Sequence, residues 1–392
     1  MTVETDRIMA GGRLDPAERA ELASAAAEVL RRHCPMEATK GRTPQSPLDR
    51  RAWSAVCGAL DPAGLRLPEQ WGGQGLTLQH AAVIAAAAGA VTAPLPLLGT
   101  AGIAVPLIAA LASPAQRDEL LPDLLDGSRV ATVDLAVRPD DGDRRHGAGP
   151  IEAVAERDRV RVTGVVGAAA WGADAEILVA LVPHRDAGQE VVVVELTGAG
   201  VDVERLDVVD RSRPRSRVRL DGATGQVLGG SEPASQGAVI ARVIDEAVVL
   251  AAVEAVGAAR AFLDETVRYV SVREQFGHPV GSFQAVQHRA ADLHGEVESA
   301  RASADWALDV AVRTSRAPTA ELSRAASVAL LRSGAALEAV SRQGLHLHGG
   351  IGFTWEHLSH LYLKRALGDQ SLLGGRSYHL RRLADALGAQ FV

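Results

Sequence analysis

Two segments of this 392-residue chain hold residue types whose spacing suits chemistry. The first runs from Tyr269 to Gln287 and contains Arg273, the Phe276-Gly277 pair and Gln284. An arginine ending one long helix, then a tight turn, then a second helix places a guanidinium fork beside free backbone N–H groups. That combination can grip a diphosphate. The same layout also serves as a plain helix–helix corner, with the arginine complementing a helix C-terminus. The residues alone leave both readings open. The second segment, Gly344 to Glu356, contains His346, Leu347, His348, Gly349, Gly350 and Gly352. Glycines let a backbone approach a ligand closely because no Cβ intervenes, although a loop without a ligand uses them equally well.

Other reactive types are scattered. His288 and His294 lie six apart and do not share a helix face, and His357 and His360 lack a further placed ligand, so no metal site is expected. No Gly-x-Ser-x-Gly elbow or Cys-His arrangement suggests hydrolysis. The two cysteines, Cys34 and Cys57, are too few for a disulfide framework or a four-cysteine zinc site, which fits a reducing compartment.

The elements that must position these segments fall into three blocks. Residues 1–128 read as helical, with helices over Pro16–Arg32, Ala81–Ala90, Ile103–Leu111 and Ala115–Leu125. A further helix before Trp53, Val56 and Leu60 is expected to start at Ser46 as cap, with Pro47 in its first turn. Residues 129–230 turn to short β-rich runs at 131–137, 160–163, 176–182 and 191–196, with a charged, glycine-rich surface loop over 139–150. A small β-barrel or sandwich fits them. Residues 231–392 return to helix, over 235–272, from a cap at Ser282 through Val286, Ala290, Leu293 and Val297, over 319–343, and over 377–387. The fold class is α+β: a helical domain, a middle β-domain and a C-terminal helical bundle.

Composition excludes several functions. Hydrophobic residues at 47% and charged residues at 23% are those of a water-soluble globular chain with a large core. Aromatics at 3%, set against abundant Ala, Val and Leu, favour close-packed helices. The net charge is 41 − 48 = −7, and basic runs stop at pairs such as Arg144-Arg145 and Arg381-Arg382, which argues against nucleic acid or a polybasic membrane contact. From Ala81 to Gln116 no residue is charged, yet Pro94, Pro96 and Pro106 with Gly89, Gly99 and Gly102 divide the stretch, so buried helices rather than a membrane span are expected. The first residues lack the basic and apolar blocks of a secretion signal, and a cytoplasmic location is expected.

Taken together and in this order, the two segments resemble those of the acyl-CoA dehydrogenase family, and the likeness extends over nearly the whole chain. Leu97-Leu98-Gly99-Thr100 and the run Ala115-Gln116 to Leu120-Leu121-Pro122 are similar to the family's N-terminal helical domain. The resemblance implies a flavoprotein in which FAD lies between the β-domain and a C-terminal four-helix bundle, beside an acyl-CoA thioester. A carboxylate takes the α-proton, the flavin takes a hydride from the β-carbon, and an electron-accepting flavoprotein reoxidises it. It further implies that Arg273, Phe276, Gln284, His346, Leu347, His348, Gly349 and Gly350 contact FAD, characteristically the diphosphate and adenosine portion of FAD held by a neighbouring subunit.

Three departures from the family qualify this. The Thr-Glu-Pro strand end and Gly-Ser-Asp turn are replaced by Val133-Asp134-Leu135 and by Arg138 to Gly142. The Trp-Ile-Thr run against the flavin ring, counted back from Ala173-Asp174, falls on Val166, Gly167 and Ala168, with Trp171 five places late. The usual base, a glutamate counted from Gly349, falls on Leu373, which cannot accept a proton. The family's other base position, on the long helix, falls on Ala247. Its neighbour Glu246 serves only if the helix bulges, since one residue turns a side chain by ~100°. Otherwise Glu246 is a solvated or paired helix carboxylate; Glu254, eight residues on, is expected as a paired carboxylate within the bundle, and Asp369 is a short candidate near the lost turn. Residues acting within this chain are degraded, while those offered across an interface are kept. The expectation is therefore a base-lacking subunit of a heteromeric acyl-CoA dehydrogenase, a dimer of dimers with a homologous partner. The rivals are a self-sufficient homo-oligomer using Glu246, a flavin monooxygenase on the same fold, and a non-enzymatic assembly subunit.

Overall fold

The structure, a computed structural model, describes residues 14–133, 151–156, 159–184, 188–229, 233–314 and 318–388. The altered turn from Asp134 to Gly142 and the loop to Pro150 lie outside the described residues.

The chain begins with helices α1 (Pro16–His33), α2 (Met36–Lys40), α3 (Arg50–Leu60) and α4 (Leu78–Ala90). The start of α3 differs from expectation. Asp49, not Ser46, is its cap and accepts the Ala52 N–H at 3.0 Å, while the Ser46 hydroxyl accepts the Thr43 N–H at 2.9 Å. Both residues are good caps, and the one nearer the apolar repeat of Trp53, Val56 and Leu60 takes the role. A π-helical stretch, Leu97–Ala104, leads into α5 (Val105–Leu111), and α6 (Pro114–Leu125) follows behind a Ser113–Gln116 capping box. These uncharged segments are core. Ile103, Val105, Leu107, Ile108 and Leu111 are almost wholly buried, and no described helix is long and apolar enough to cross a membrane.

Seven strands form one mixed sheet: β1 (Ala131–Val133), β2 (Glu152–Glu156), β3 (Arg159–Ala170), β4 (Ile177–His184), β5 (Gly188–Glu195), β6 (Val201–Arg205) and β7 (Arg215–Val227). Their order is β1-β4-β5-β7-β3-β2, with β6 also on β7 and, among the described residues, only the β1–β4 pair parallel. Strand β7 changes partner along its length, pairing with β6 over Ser216–Leu220 and with β5 over Gly225–Val227, which curls the sheet. Alternation along β4 and β5 divides two cores. Ile177, Val179, Val191 and Val193 join the helical core, whereas Leu178, Ala180, Val192 and Val194 fill the sheet's own.

The remainder is α7 (Pro233–Val272), a two-residue hairpin β8–β9 (Glu274–Gln275, His278–Pro279), α8 (Gln284–Arg313), α9 (Ala320–Leu347), α10 (Ser359–Asp369) and α11 (Gly375–Ala386). Ser282 does not cap α8. Its hydroxyl donates to the Pro279 carbonyl at 2.7 Å, and the helix opens at Phe283 without a side-chain cap. Thr319 does cap α9, accepting the Leu322 N–H at 3.0 Å. Helix α10 has no counterpart in the sequence reading, because its buried face includes an arginine, Arg365, that an apolar pattern does not count.

Helix α4 crosses α7 through two glycines. A Cβ on Gly89 would run into the Glu254 carbonyl, and one on Gly257 into the Ala86 carbonyl. Backbones meet here without side chains between them, so the helical block and the bundle share one core. Gly257→Ala is expected to destabilise the chain by about 1–3 kcal/mol through overpacking, read as a lowered denaturant midpoint with an unchanged slope.

Candidate functional site

At the far end of the bundle the two chemistry-bearing segments come together. Tyr269, one turn before Arg273, stacks on His348 with ring centroids 4.5 Å apart, and His348 immediately precedes Gly349. Arg273 ends the α7 corner; its guanidinium is exposed and has no carboxylate partner among the described residues. Phe276 and Gly277 occupy the hairpin turn with φ of +55° and +79°, as a two-residue turn between strands demands. Phenylalanine in that conformation is strained, and here its ring is 90% exposed. Gln284 is exposed in the first turn of α8. Ile351, Phe353 and Trp355 extend the exposed apolar surface, with Phe353 at 65% and Trp355 at 52%.

The glycines differ in their reasons. Gly349 has φ +65°, which favours glycine by itself. Gly350 has neither a positive φ nor any atom within 4 Å of where its Cβ would stand, so nothing inside the chain requires glycine there. His346 is exposed against Phe353, and Leu347 is half-buried. His348 departs from the expected ligand-facing role. It is buried, Nδ1–H donates to the Gly344 carbonyl at 2.8 Å, and its ring packs on Phe262 and Tyr269, so its side chain faces protein. The reason is the tight approach of α9 to α7 at Gly344, against Phe262 and Thr266.

Between the sheet and the bundle lies a different environment. Arg213 holds Glu254 with two bonds of 2.7 Å and Asp369 with one of 2.6 Å. Arg365, almost wholly buried, pairs with Asp210 at 2.9 Å, with Ser212 at 2.8 Å and with Glu254. Arg215 donates to the Ser371 hydroxyl and the Gly368 carbonyl, both at 2.9 Å. Together these bonds tie the segment before β7 to α7 and α10. Burial, resisted by Arg213 and Arg365, pushes Asp369 up to about 6, whereas the arginines outweigh burial at Asp210 and hold it low. A cavity of about 190 Å³ beside Ala168, Leu206, Val208 and Leu367 is bordered by Arg213 and Arg215. Trp171, with φ +60°, is buried under the Arg42 guanidinium, 5.2 Å from the ring centre.

The candidate bases separate clearly. Leu373 occupies the turn before α11 with φ +49°, buried in the main core, and its carbonyl accepts from His379 Nε2 at 3.0 Å. Ala247 is fully buried. Glu246 is buried between Arg66 and Arg242, the latter at 2.6 Å, and the two guanidiniums, overcoming burial, keep it below the usual carboxylate range. It is a structural ion-pair carboxylate, committed on both oxygens. Glu254 is likewise paired, as expected.

Among the described residues one group has metal-ligand composition: Glu265, His348 and His357, with ligand atoms within 4.8 Å of one another. Glu265 is engaged by Arg268, and His357 Nδ1 accepts the Ser359 N–H at 3.1 Å, which leaves the proton on Nε2. Glu265 and His357 are thus already engaged, whereas His348 Nε2 is buried without a hydrogen-bond partner, and we assign no ion to the group.

A helical block, a curled mixed sheet and a long-helix bundle, with a glycine–arginine corner at the bundle's end, make up the three-part architecture of the acyl-CoA dehydrogenases. The chain belongs to the acyl-CoA dehydrogenase family, whose members are FAD-dependent oxidoreductases. Residues 16–128 match the acyl-CoA dehydrogenase N-terminal domain and residues 237–388 its C-terminal domain. Acyl-CoA dehydrogenase IpdE2 of Mycolicibacterium smegmatis is 32% identical over 368 residues, 93% of this chain and 97% of that protein. A solved variant of the Tcur3481-Tcur3483 steroid ACAD superimposes with a TM-score of 0.81 at 30% identity, covering 95% of this chain and 98% of that one. The ChsE4-ChsE5 complex from Mycobacterium tuberculosis shares the fold with a TM-score of 0.81 at 23% identity, covering 95% of this chain and 98% of the matched one.

Two outcomes follow from the ion pairs. Glu246→Gln leaves Arg66 and Arg242 buried without their counter-charge and is expected to cost about 3–5 kcal/mol in chemical denaturation. Asp369, with its folded pKa raised, favours folding most when protonated, so its contribution falls as pH rises from about 4 to about 6. The difference in urea midpoint between wild type and Asp369→Asn should therefore shift against wild type across that window and be flat above about pH 7.

Proposed function

We propose that this chain is the base-lacking subunit of a heteromeric acyl-CoA dehydrogenase. It would donate its bundle end to FAD whose reactive ring is held by a homologous partner, in a dimer of dimers. One contrast carries the reading: the bundle end is exposed and open, whereas the chain's own cleft is tied shut by buried ion pairs. At the bundle end the residues suit a diphosphate. Arg273 has an uncommitted guanidinium, α8 begins without a side-chain cap, and Gly350 leaves room for an anion against backbone N–H groups. Phe276, Phe353 and Trp355 supply an apolar surface that a second subunit would cover.

The chain's own cleft does not suit a flavin ring. Arg213 stands there between Glu254 and Asp369, at the border of the 190 Å³ cavity, and parting those charges would expose unpaired ions. When bound, the flavin supplies the hydride acceptor for α,β-desaturation of an acyl-CoA thioester. This chain's residues would bind and orient its diphosphate and shield the junction from water. The proton would be taken by the partner's carboxylate, since Leu373 and Ala247 occupy both base positions here. Glu246 as base is disfavoured by its clamp of two arginines. An acyl-CoA and an electron-accepting flavoprotein are the further partners of this reading.

Co-expression with a homologous chain that keeps the carboxylate tests it. A mixed tetramer with one flavin per two chains is expected, and Arg273→Ala in this chain should cut flavin retention at least tenfold, about 1.4 kcal/mol or more. A yellow homo-oligomer with one flavin per chain, active alone on an acyl-CoA, would overturn it.

A further inference from the structure

Of the 41 lysines and arginines in this chain only two are lysines, Lys40 and Lys364, and the fold brings both to one loop. Lys40, ending α2, is committed: its Nζ pairs with Glu37 at 2.6 Å and donates to the Glu356 carbonyl at 3.1 Å. Lys364, on α10, is not. Its Nζ stands 4.3 Å from the centre of the Trp355 ring and, among the described residues, has neither a carboxylate partner nor a hydrogen-bond acceptor. Arginine stays protonated under ordinary conditions, whereas lysine can shed its proton and become a nucleophile.

The surroundings of Lys364 favour that change. The residue is half-buried, and burial and the nearby Arg211 guanidinium pull its ammonium below the usual lysine range. Asp210 opposes them, but its carboxylate is held by Arg365 at 2.9 Å and by the Ser212 N–H at 3.0 Å. His360, one turn earlier on α10, stacks on Trp355 with ring centroids 4.5 Å apart and, pushed down to about 4, carries no charge near neutral pH. Trp355 is half exposed, and Phe353 continues its apolar surface. A nucleophile beside an exposed apolar platform fits an electrophile carried on an apolar tail.

We propose that Lys364 is a modification site, acylated by acyl-CoA thioesters whose acyl chain lies on Trp355. Lys364 first gives its ammonium proton to water. The neutral Nζ then attacks the thioester carbonyl carbon; a C–N bond forms, the C–S bond breaks, and CoA leaves as the thiolate. The new amide nitrogen sheds one proton, which the thiolate takes up. The products are a lysine amide and a free thiol, and no oxidant or reductant takes part. Such a reaction needs only that the chain meets acyl-CoA, whichever subunit holds the flavin or the base. In an assembly that covers Trp355, Lys364 would be shielded, so the full chain without a partner is the sample to use.

The test is incubation of that chain with acetyl-CoA or octanoyl-CoA at about pH 8, followed by peptide mass spectrometry at both lysines. Lys364 should be acylated at least about tenfold faster than Lys40, the paired control within the same molecule. Octanoyl-CoA should outrun acetyl-CoA at Lys364, and Trp355→Ala should erase that advantage. Lys364→Arg keeps a cation on α10 and should leave its peptide unlabelled. An unmodified Lys364, equal rates at the two lysines, no advantage for octanoyl-CoA, or an advantage that survives Trp355→Ala would overturn the proposal. The wild-type comparison of the two lysines stands whether or not Trp355→Ala folds. Because the label is read without flavin or partner, its failure is distinct from failure of the partner-subunit reading.

Discussion

The structure depends on a buried lattice of arginines and carboxylates between the sheet and the bundle. Arg213 and Arg365 each meet two acidic groups, Glu254 is shared by both, and Arg215 adds bonds to Ser371 and to the Gly368 carbonyl. Ions out of water are costly unless every partner is in place, so such a lattice is all or none. It therefore fixes where α10 and the turn at Leu373 lie against β7.

The opposite end of the bundle follows the reverse rule. There the polar groups are left open, and an aromatic side chain is held in a strained turn with its ring in solvent. Strain and exposed apolar surface both cost stability in the isolated chain, and both are relieved or offset when another surface covers them. The molecule thus has a closed region between sheet and bundle and an open corner at the bundle's end. Helix α7 connects them, carrying Glu254 in the lattice and Arg273 at the corner, so the two ends are held in fixed relation.

Much of this is legible in the residues. Helices with uninterrupted apolar periodicity, such as α4 and α7, fall within a few positions of their expected bounds, because burial of one face is written directly into spacing. Gly350 and Arg273 stand out by type alone. Caps are less legible: Ser46 and Ser282 have suitable chemistry, but Asp49 and Phe283 occupy the cap positions because packing downstream sets the helix register. Helix α10 is hidden because Arg365 is an inward-facing residue with the sequence signature of an outward-facing one. The family resemblance points His348 at a ligand, and the stacking of Tyr269 and Phe262 turns it inward.

By itself the sequence determined the three-block layout and the family, and it put a leucine at position 373 and an arginine and glycines at the corner, since each is a matter of residue type and local order. Only the tertiary structure decided which charges meet. Glu246 and Arg66 are 180 positions apart, and Arg213 and Asp369 are 156 apart. Nothing local distinguishes a carboxylate that will be clamped from one that will stay free. Electrostatic partnership is a property of distance in space, and burial, which gives those pairs their strength, exists only once the chain has folded.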